Sequence, residues 1–346
     1  MASQNALANL FKPFVKRVNE GLKVLLDGRK PEKLYSYIGY QLGLQDEELS
    51  PCVAFKGGKR LRSSIPLLVA KYLGEGEFAL PGSLALELFH NFTLIVDDIQ
   101  DHDEIRHARP TLWKLVGVPQ ALNAALVAEA LAHDCAKDAC AHLPPKTASN
   151  WLLAFQQMTM KVFEGQHLDI LYEREEQVFT AQYLQMAFSK TGILLGQSFA
   201  QGFALQPREE IRKIAIIMRQ VGEMAGMAFQ VQDDILGLWS DTKKTGKPVG
   251  SDLHRHKKTL PIVHALENGS RSTRQVILEA FKGELDDKKV NSILGCLEAA
   301  GSKDYALSQV REYSSRALAL LDGSAIDDKL KSKLAEVIEN LSKRET

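Results

Sequence analysis

SLALELFHNFTLIVDDIQD, residues 83–101, carries apolar side chains at three- and four-residue intervals and then ends in acid. At about 100° per residue, Leu84, Leu88 and Ile95 supply apolar helix surface, while Asp97 and Asp101 fall one turn apart on a single face with Asp98 beside them. The spacing predicts one helix from Ser83 to Arg106. The same spacing recurs almost throughout the chain, and no convincing run of two-residue alternation interrupts it. The fold class is therefore all-α. Turn formers at Gly28–Pro31, Gly74–Gly82, Pro110–Pro119, Leu143–Thr147, Pro207, Thr242–Gly250, Gly269, Gly283, Gly301 and Gly323 divide it into about a dozen helices on short connections.

The chain has 346 residues, long enough for two domains, yet no linker or change of composition splits it, so a single domain over 1–346 is expected. Its 43 basic and 43 acidic residues cancel, which removes whole-molecule attraction to nucleic acid or an anionic membrane. An anion site here is local. Cys52, Cys135, Cys140 and Cys296 lack metal or redox spacing and read as reduced thiols of a cytoplasmic protein. The N-terminal segment has no signal-like apolar core; it reads as an amphipathic helix with Phe11, Phe14, Val15 and Val18 inward, a transit segment being the alternative. No apolar stretch reads as a membrane span.

Two carboxylates about 4 Å apart repel by on the order of 4 kcal/mol at an effective dielectric near 20, and a helix C-terminus adds to the cost. Asp97, Asp98 and Asp101 are thus either a solvated helix end or a cluster with a counter-ion, for which a divalent cation is economical. A second acidic pair, Asp233 and Asp234, lies inside the apolar run MAFQVQDDILG, residues 227–237. Buried carboxylates are expensive unless they bind something, and oxygen ligands suit Mg²⁺, which keeps water and phosphate in its shell. A loop with Asp241, Lys243, Lys244, Lys247 and Asp252 follows, ending in HRHKK.

FKGGKRLR, residues 55–62, sets Gly57 and Gly58 before Lys59, Arg60 and Arg62 at a predicted helix start, an arrangement suited to diphosphate. Neither it nor the later TGKP has P-loop spacing, so a nucleotide kinase or ATPase is excluded. The histidines His102, His254 and His256 read as solvated rims, because Mg²⁺ prefers oxygen.

In order along the chain, GGKRLR, HNFTLIVDDIQD, FEGQHLD, FSKTG, FQVQDDILG and TGKPVGSD resemble the trans-isoprenyl diphosphate synthases, or polyprenyl synthetases, from about Phe55 to Leu260. The resemblance implies an antiparallel helical bundle around a central cavity, usually a homodimer. It implies condensation of isopentenyl diphosphate with an allylic diphosphate, here dimethylallyl, geranyl or farnesyl, with Mg²⁺ as cofactor. By position, Asp97, Asp98, Asp101 and Asp233 would bind metal, with Asp234 in support. Lys59, Arg62 and His90 would hold isopentenyl diphosphate. Arg106, Lys190 and Lys247 would hold the allylic diphosphate, and Lys257 matches the family's later lysine. Gln166, Asp169, Thr191 and Gln230 fall on polar positions that face the reacting carbons.

The match departs from the family in three places. Arg106, His107, Ala108 stand where two arginines and a glycine are usual, Gly237 replaces a frequent third aspartate, and residues 121–129 lack a common Gly-Asp pair. Arg109 is the residue that could replace the missing arginine. The family ties product length to Phe92 and Thr93, and a bulky Phe92 implies a C15 product, with C20 close behind. A class I terpene cyclase would not need Lys59, Arg62 and His90, and a noncatalytic partner subunit would be expected to lose the first aspartate motif.

Overall fold

The computed structural model describes every residue except 1, 53–54, 56, 75–77, 240–249 and 344–346, with backbone alone for 2–6 and 251. Most of it is helical, as the periodicity requires. The described residues form two compact units, Met1–Gln156 with Ser198–Ala215, and Gln157–Gln197 with Ile216–Thr346.

The first unit is built on the helix Ala79–Gln100. Its most extensive partner is Val118–Ala139, whose buried residues include Ala121, Ala124, Ala125, Ala128, Ala132 and Ala136; such small side chains let two backbones come close. Leu86, Leu88 and Phe89 are completely buried. By length and composition Ala79–Gln100 could cross a membrane, but most of its apolar window is covered by the protein itself. The N-terminal helix Ala2–Leu26 buries Phe11, Phe14, Val18 and Leu22, as expected of its amphipathic face.

The predicted helix to Arg106 stops early, at Gln100. The amides of His102 and Asp103 bond back to the carbonyls of Ile99 and Asp98, and His102 takes the left-handed conformation, φ 54°, that such a cap needs. Ile105–Arg106 then pairs with Arg109–Pro110 in a two-residue hairpin. His107 and Ala108, at φ 53° and 59°, form the left-handed turn that twists with the strands.

In the second unit, Tyr183, Met227, Ala228, Val231, Ile235 and Leu260 belong to one apolar cluster. Leu238, Leu253, Ile262, Ile277 and Ile293 belong to another. Short polar side chains cap the later helices: Ser270 accepts from the amide of Thr273, Asp286 from that of Lys289, and Asp327 from those of Lys329 and Leu330. The helix Thr180–Ala187 runs into a π-helical turn, Phe188–Gly192, before Ile193–Ala204.

Candidate active site

In the first unit the Gly57–Arg62 segment is anchored from below. Arg60, also left-handed at φ 51°, turns inward; its guanidinium bonds Glu87 at 2.6 Å, Asn19 at 3.0 Å and the carbonyl of Leu42. Ser63 and Asn91 also donate to Glu87, at 2.6 and 2.9 Å. Burial pushes the Glu87 carboxyl up, but Arg60 and these hydrogen bonds outweigh it and hold it below the ordinary value. Of the three cations in the motif, Arg60 is thus structural.

Arg62 Nη1 lies 3.1 Å from His90 Nε2. A guanidinium only donates, so this ring nitrogen accepts and the histidine is neutral. Burial first, then the charges of Arg62, Arg106 and Arg60, hold His90 well below 6.5. Phe92 is half-buried with its ring 5.9 Å from that of Phe89, and the Thr93 hydroxyl donates to the carbonyl of His90 at 2.8 Å.

The carboxylates at the helix end have a counter-ion built into the chain. Arg106 Nε donates to Asp98 at 2.7 Å, and Nη2 reaches Asp97 at 3.4 Å. Like-charge repulsion alone therefore does not demand a metal. Asp98 is buried, while Asp97 and Asp101 are half-buried. Arg109 is committed elsewhere, over the Tyr40 ring, to Glu47 at 3.1 Å and to the carbonyl of Gln45 at 2.7 Å. It does not substitute for the arginine missing at His107, which sits beside Gly58.

In the second unit, Lys190 Nζ and Lys257 Nζ meet the same oxygen of Asp169, at 2.6 and 3.6 Å. Gln166, half-buried, precedes Asp169 by three residues on the helix Pro145–Arg174. The close fit depends on Gly165, where a Cβ would overlap the backbone of Ser189 and Lys190 in the π-helical turn. Beside it, the buried Thr191 hydroxyl donates to Gln230 Oε1 at 2.6 Å.

Asp233 and Asp234 point apart: Asp233 is exposed, Asp234 buried. Asp234 takes hydrogen bonds from Gln230 Nε2 at 2.9 Å, Tyr183 Oη at 2.6 Å and the amide of Leu260 at 2.9 Å. Burial pushes its carboxyl up to about 7 against the pull of these donors. A Cβ at Gly237 would meet the end of the Asp252 side chain, so an acid from the short helix Ser251–His254 lies over Gly237. Lys247 lies outside the described residues, as do Asp241, Lys243 and Lys244.

Three residues escaped the sequence reading. Tyr183 has no local signal, since its partner is 51 residues away. Glu87 reads as a lone polar residue in a core helix, and only the fold brings Arg60 to it. Lys258, next to Lys257, is buried; its ammonium donates to the carbonyl of Glu173 at 3.2 Å, lies 4.8 Å from the centre of the Phe281 ring, and is pushed down to about 8 by burial.

Among the described residues, no three His, Cys, Asp or Glu side chains stand close enough to hold a metal by themselves. The acids at the two motifs are nonetheless all hard oxygen donors. In each motif, taken by itself, that donor chemistry suits a hard cation such as Mg²⁺, which uses few protein carboxylates and fills its shell with water and phosphate.

The family model described as polyprenyl synthetase matches residues 47–297. The chain is 34% identical to a geranylgeranyl pyrophosphate synthase of Geoglobus acetivorans, over 89% of this chain and 90% of that one. It is 31% identical to a (2E,6E)-farnesyl diphosphate synthase of Mycobacterium bovis, over 87% and 83%. The crystal structure of a geranylgeranyl pyrophosphate synthetase from Pyrococcus horikoshii superimposes with a TM-score of 0.86 at 29% identity, covering 100% of both chains.

Proposed function

Because this chain belongs to the polyprenyl synthetase family, we propose that it condenses isopentenyl diphosphate head to tail with an allylic diphosphate to make a short all-trans product. Its relatives support a short-chain prenyl diphosphate synthase, and they carry both C15 and C20 names. We take C15 as the main product, with Phe92 and Thr93 limiting length. A single domain over 1–346 around a central cavity, a homodimer and a cytoplasmic location belong to the same proposal. An exposed apolar row on Val118–Ala139, formed by Val118, Leu122 and Leu126, supports a second copy as partner.

The observation that carries this reading is the convergence of Lys190 and Lys257 on Asp169, next to Thr191 bonded to Gln230. Two ammonium groups gathered at one point beside hydroxyl and amide oxygens are the donor chemistry that a diphosphate calls for. In the proposed reaction Lys190 and Lys257, with Lys247 and Arg106, draw charge onto the leaving diphosphate, and the allylic C1–O bond breaks with its electron pair on oxygen. Lys59, Arg62 and neutral His90 hold isopentenyl diphosphate. Its alkene forms the new bond to C1, and the proton lost from C2 passes to the departed diphosphate. Thr191, Gln166 and Asp169 face the cationic carbon with lone pairs while apolar helices exclude water. Asp97, Asp98, Asp101 and Asp233 would hold Mg²⁺, with Asp234 supporting Asp233. The metal would supply Lewis-acid neutralisation of the diphosphate.

The test is mass spectrometry of products from dimethylallyl and isopentenyl diphosphates, with and without Mg²⁺. A Mg²⁺-dependent C15 diphosphate is expected. A C20 product keeps the reaction and removes Phe92 as the limit. No product from dimethylallyl, geranyl or farnesyl primers overturns the proposal in favour of a noncatalytic partner subunit, and a cyclic hydrocarbon in favour of a terpene cyclase.

A further inference from the structure

Tyr183, Asp234, Gln230 and Thr191 form one unbroken line of hydrogen bonds in the second unit. In the structure Gln230 turns its NH₂ group toward Asp234 Oδ1 and its carbonyl oxygen toward Thr191, which is the arrangement an ionised, acceptor-only Asp234 selects. A carbonyl oxygen can only accept, so the Thr191 hydroxyl must donate to it. The proton of Thr191 is thereby committed to Gln230, and its lone pairs are turned away from Gln230. A hydroxyl held this way presents negative charge density, whereas one left to rotate could present its proton.

Asp234 is held in turn from the other side. Tyr183 is 1% exposed, and its hydroxyl donates to Oδ2, the oxygen that also takes the amide of Leu260. Tyr183 sits on Thr180–Ala187, the helix that leads into the π-helical turn bearing Thr191. One short segment therefore supplies both ends of the line. Its path out and back runs through Asp234 and Gln230, four residues apart on Glu209–Trp239.

We propose that Tyr183 is a positioning residue for the condensation: through Asp234 and Gln230 it fixes the rotation of the Thr191 hydroxyl so that lone pairs face the cationic carbon. The inference rests on the proposed prenyl transfer, and on Thr191 facing the reacting atoms. Tyr183 itself touches neither substrate. Loss of its hydroxyl leaves the Asp234 carboxylate held by two donors in place of three, and the amide of Gln230 is then less firmly turned.

The test is a double-mutant cycle in kcat using Tyr183→Phe and Thr191→Val, with wild-type activity measured first. Removing one dipole that touches a charged transition state lowers kcat by about 100- to 1,000-fold, a group that only orients such a dipole has a smaller effect, and two residues acting through one interaction are strongly non-additive. Tyr183→Phe is expected to lower kcat about ten-fold with KM for both diphosphates within about two-fold, and to change kcat by less than about two-fold in the Thr191→Val background. An unchanged kcat in Tyr183→Phe, or the same fold-loss with and without Thr191, overturns the inference. If thermal melting shows that Tyr183→Phe does not fold, Gln230→Leu goes through the same cycle with Thr191→Val, and independent losses there overturn it as well. A wild-type chain that makes no prenyl diphosphate overturns the proposed function instead, which keeps the two failures apart.

Discussion

Arg60 and Glu87 form a 2.6 Å ion pair whose side chains are only 1% and 4% exposed. It joins the start of the helix Leu61–Leu73, where Lys59 precedes and Arg62 lies in the first turn, to the helix that carries His90, so the pair is a structural clamp behind a proposed anion site. Breaking a buried pair from one side leaves a charge without compensation and costs about 3–5 kcal/mol. Glu87→Ala is expected to lose stability on that scale in urea unfolding. Arg60→Met with Glu87→Leu is expected to recover most of it, since neither charge is then left behind. A double variant as unstable as Glu87→Ala would assign the effect to lost packing.

The hairpin offers the opposite sign. Ala108 sits at φ 59°, where a Cβ crowds the backbone at a cost of about 1 kcal/mol or more and glycine does not. Ala108→Gly is expected to raise the thermal midpoint, or at least not lower it, despite the greater entropy of the unfolded glycine. A clear drop would mean that Ala108 packs in a way its exposed position does not suggest.

These two cases mark where the sequence was readable and where it was not. Helical periodicity is a repeated local signal, so the all-α class was legible, and the paired acids stood out because like charges so close together are costly. The hairpin was not legible, because His102, His107 and Ala108 adopt left-handed angles without being glycine. Nothing in FSKTG announces a π-helical turn, since the extra residue matters only against Gly165 of another helix. The function of Gly237 could be noticed only as a missing aspartate until the fold brought Asp252 over it.

Gly237 gives a third prediction. Adding a methyl group there would collide with the end of the Asp252 side chain, which can swing away, so Gly237→Ala is expected to shift stability by less than about 1 kcal/mol. The displaced carboxylate lies beside the second aspartate motif, so the variant tests whether Asp252 serves the proposed metal site. Under the proposed function, the Mg²⁺ concentration giving half-maximal activity is expected to rise several-fold, read from a metal titration at saturating substrates. An unchanged titration would remove Asp252 from the metal side of the site.

His90 sets a pH dependence whose sign follows from its surroundings. Its folded value lies well below 6.5 through burial, then Arg62, Arg106 and Arg60, with Asp97 opposing. Above 6.5 the ring is neutral folded and unfolded, and contributes no slope. Below 6.5 the unfolded chain takes up a proton that the folded chain refuses, so stability falls as pH drops, by up to about 1.4 kcal/mol per pH unit from this group. Urea midpoints between pH 7 and 5 are expected to fall, and less steeply in His90→Gln, which keeps an acceptor for Arg62 and cannot titrate. Equal slopes would assign the acid sensitivity to other groups.

Phe92 tests the proposed limit on product length. Its ring leans on Phe89 at 5.9 Å, and Phe89 is completely buried and edge-on to Phe155 at 6.3 Å, so Phe92 is backed by an aromatic stack that does not yield easily. Thr93 is a weaker stop, because it is smaller and its hydroxyl is tied to the carbonyl of His90. Since Phe92 is only half-buried, Phe92→Ala is expected to cost less than the roughly 3–5 kcal/mol of a fully buried phenylalanine. Under the proposed function it is expected to shift the product spectrum by one or more C5 units, with Thr93→Ala shifting it less. If Phe92→Ala folds, remains active and makes the same chain length as the parent, the limit lies on another helix, and the side chain before the aspartates has no part in setting it.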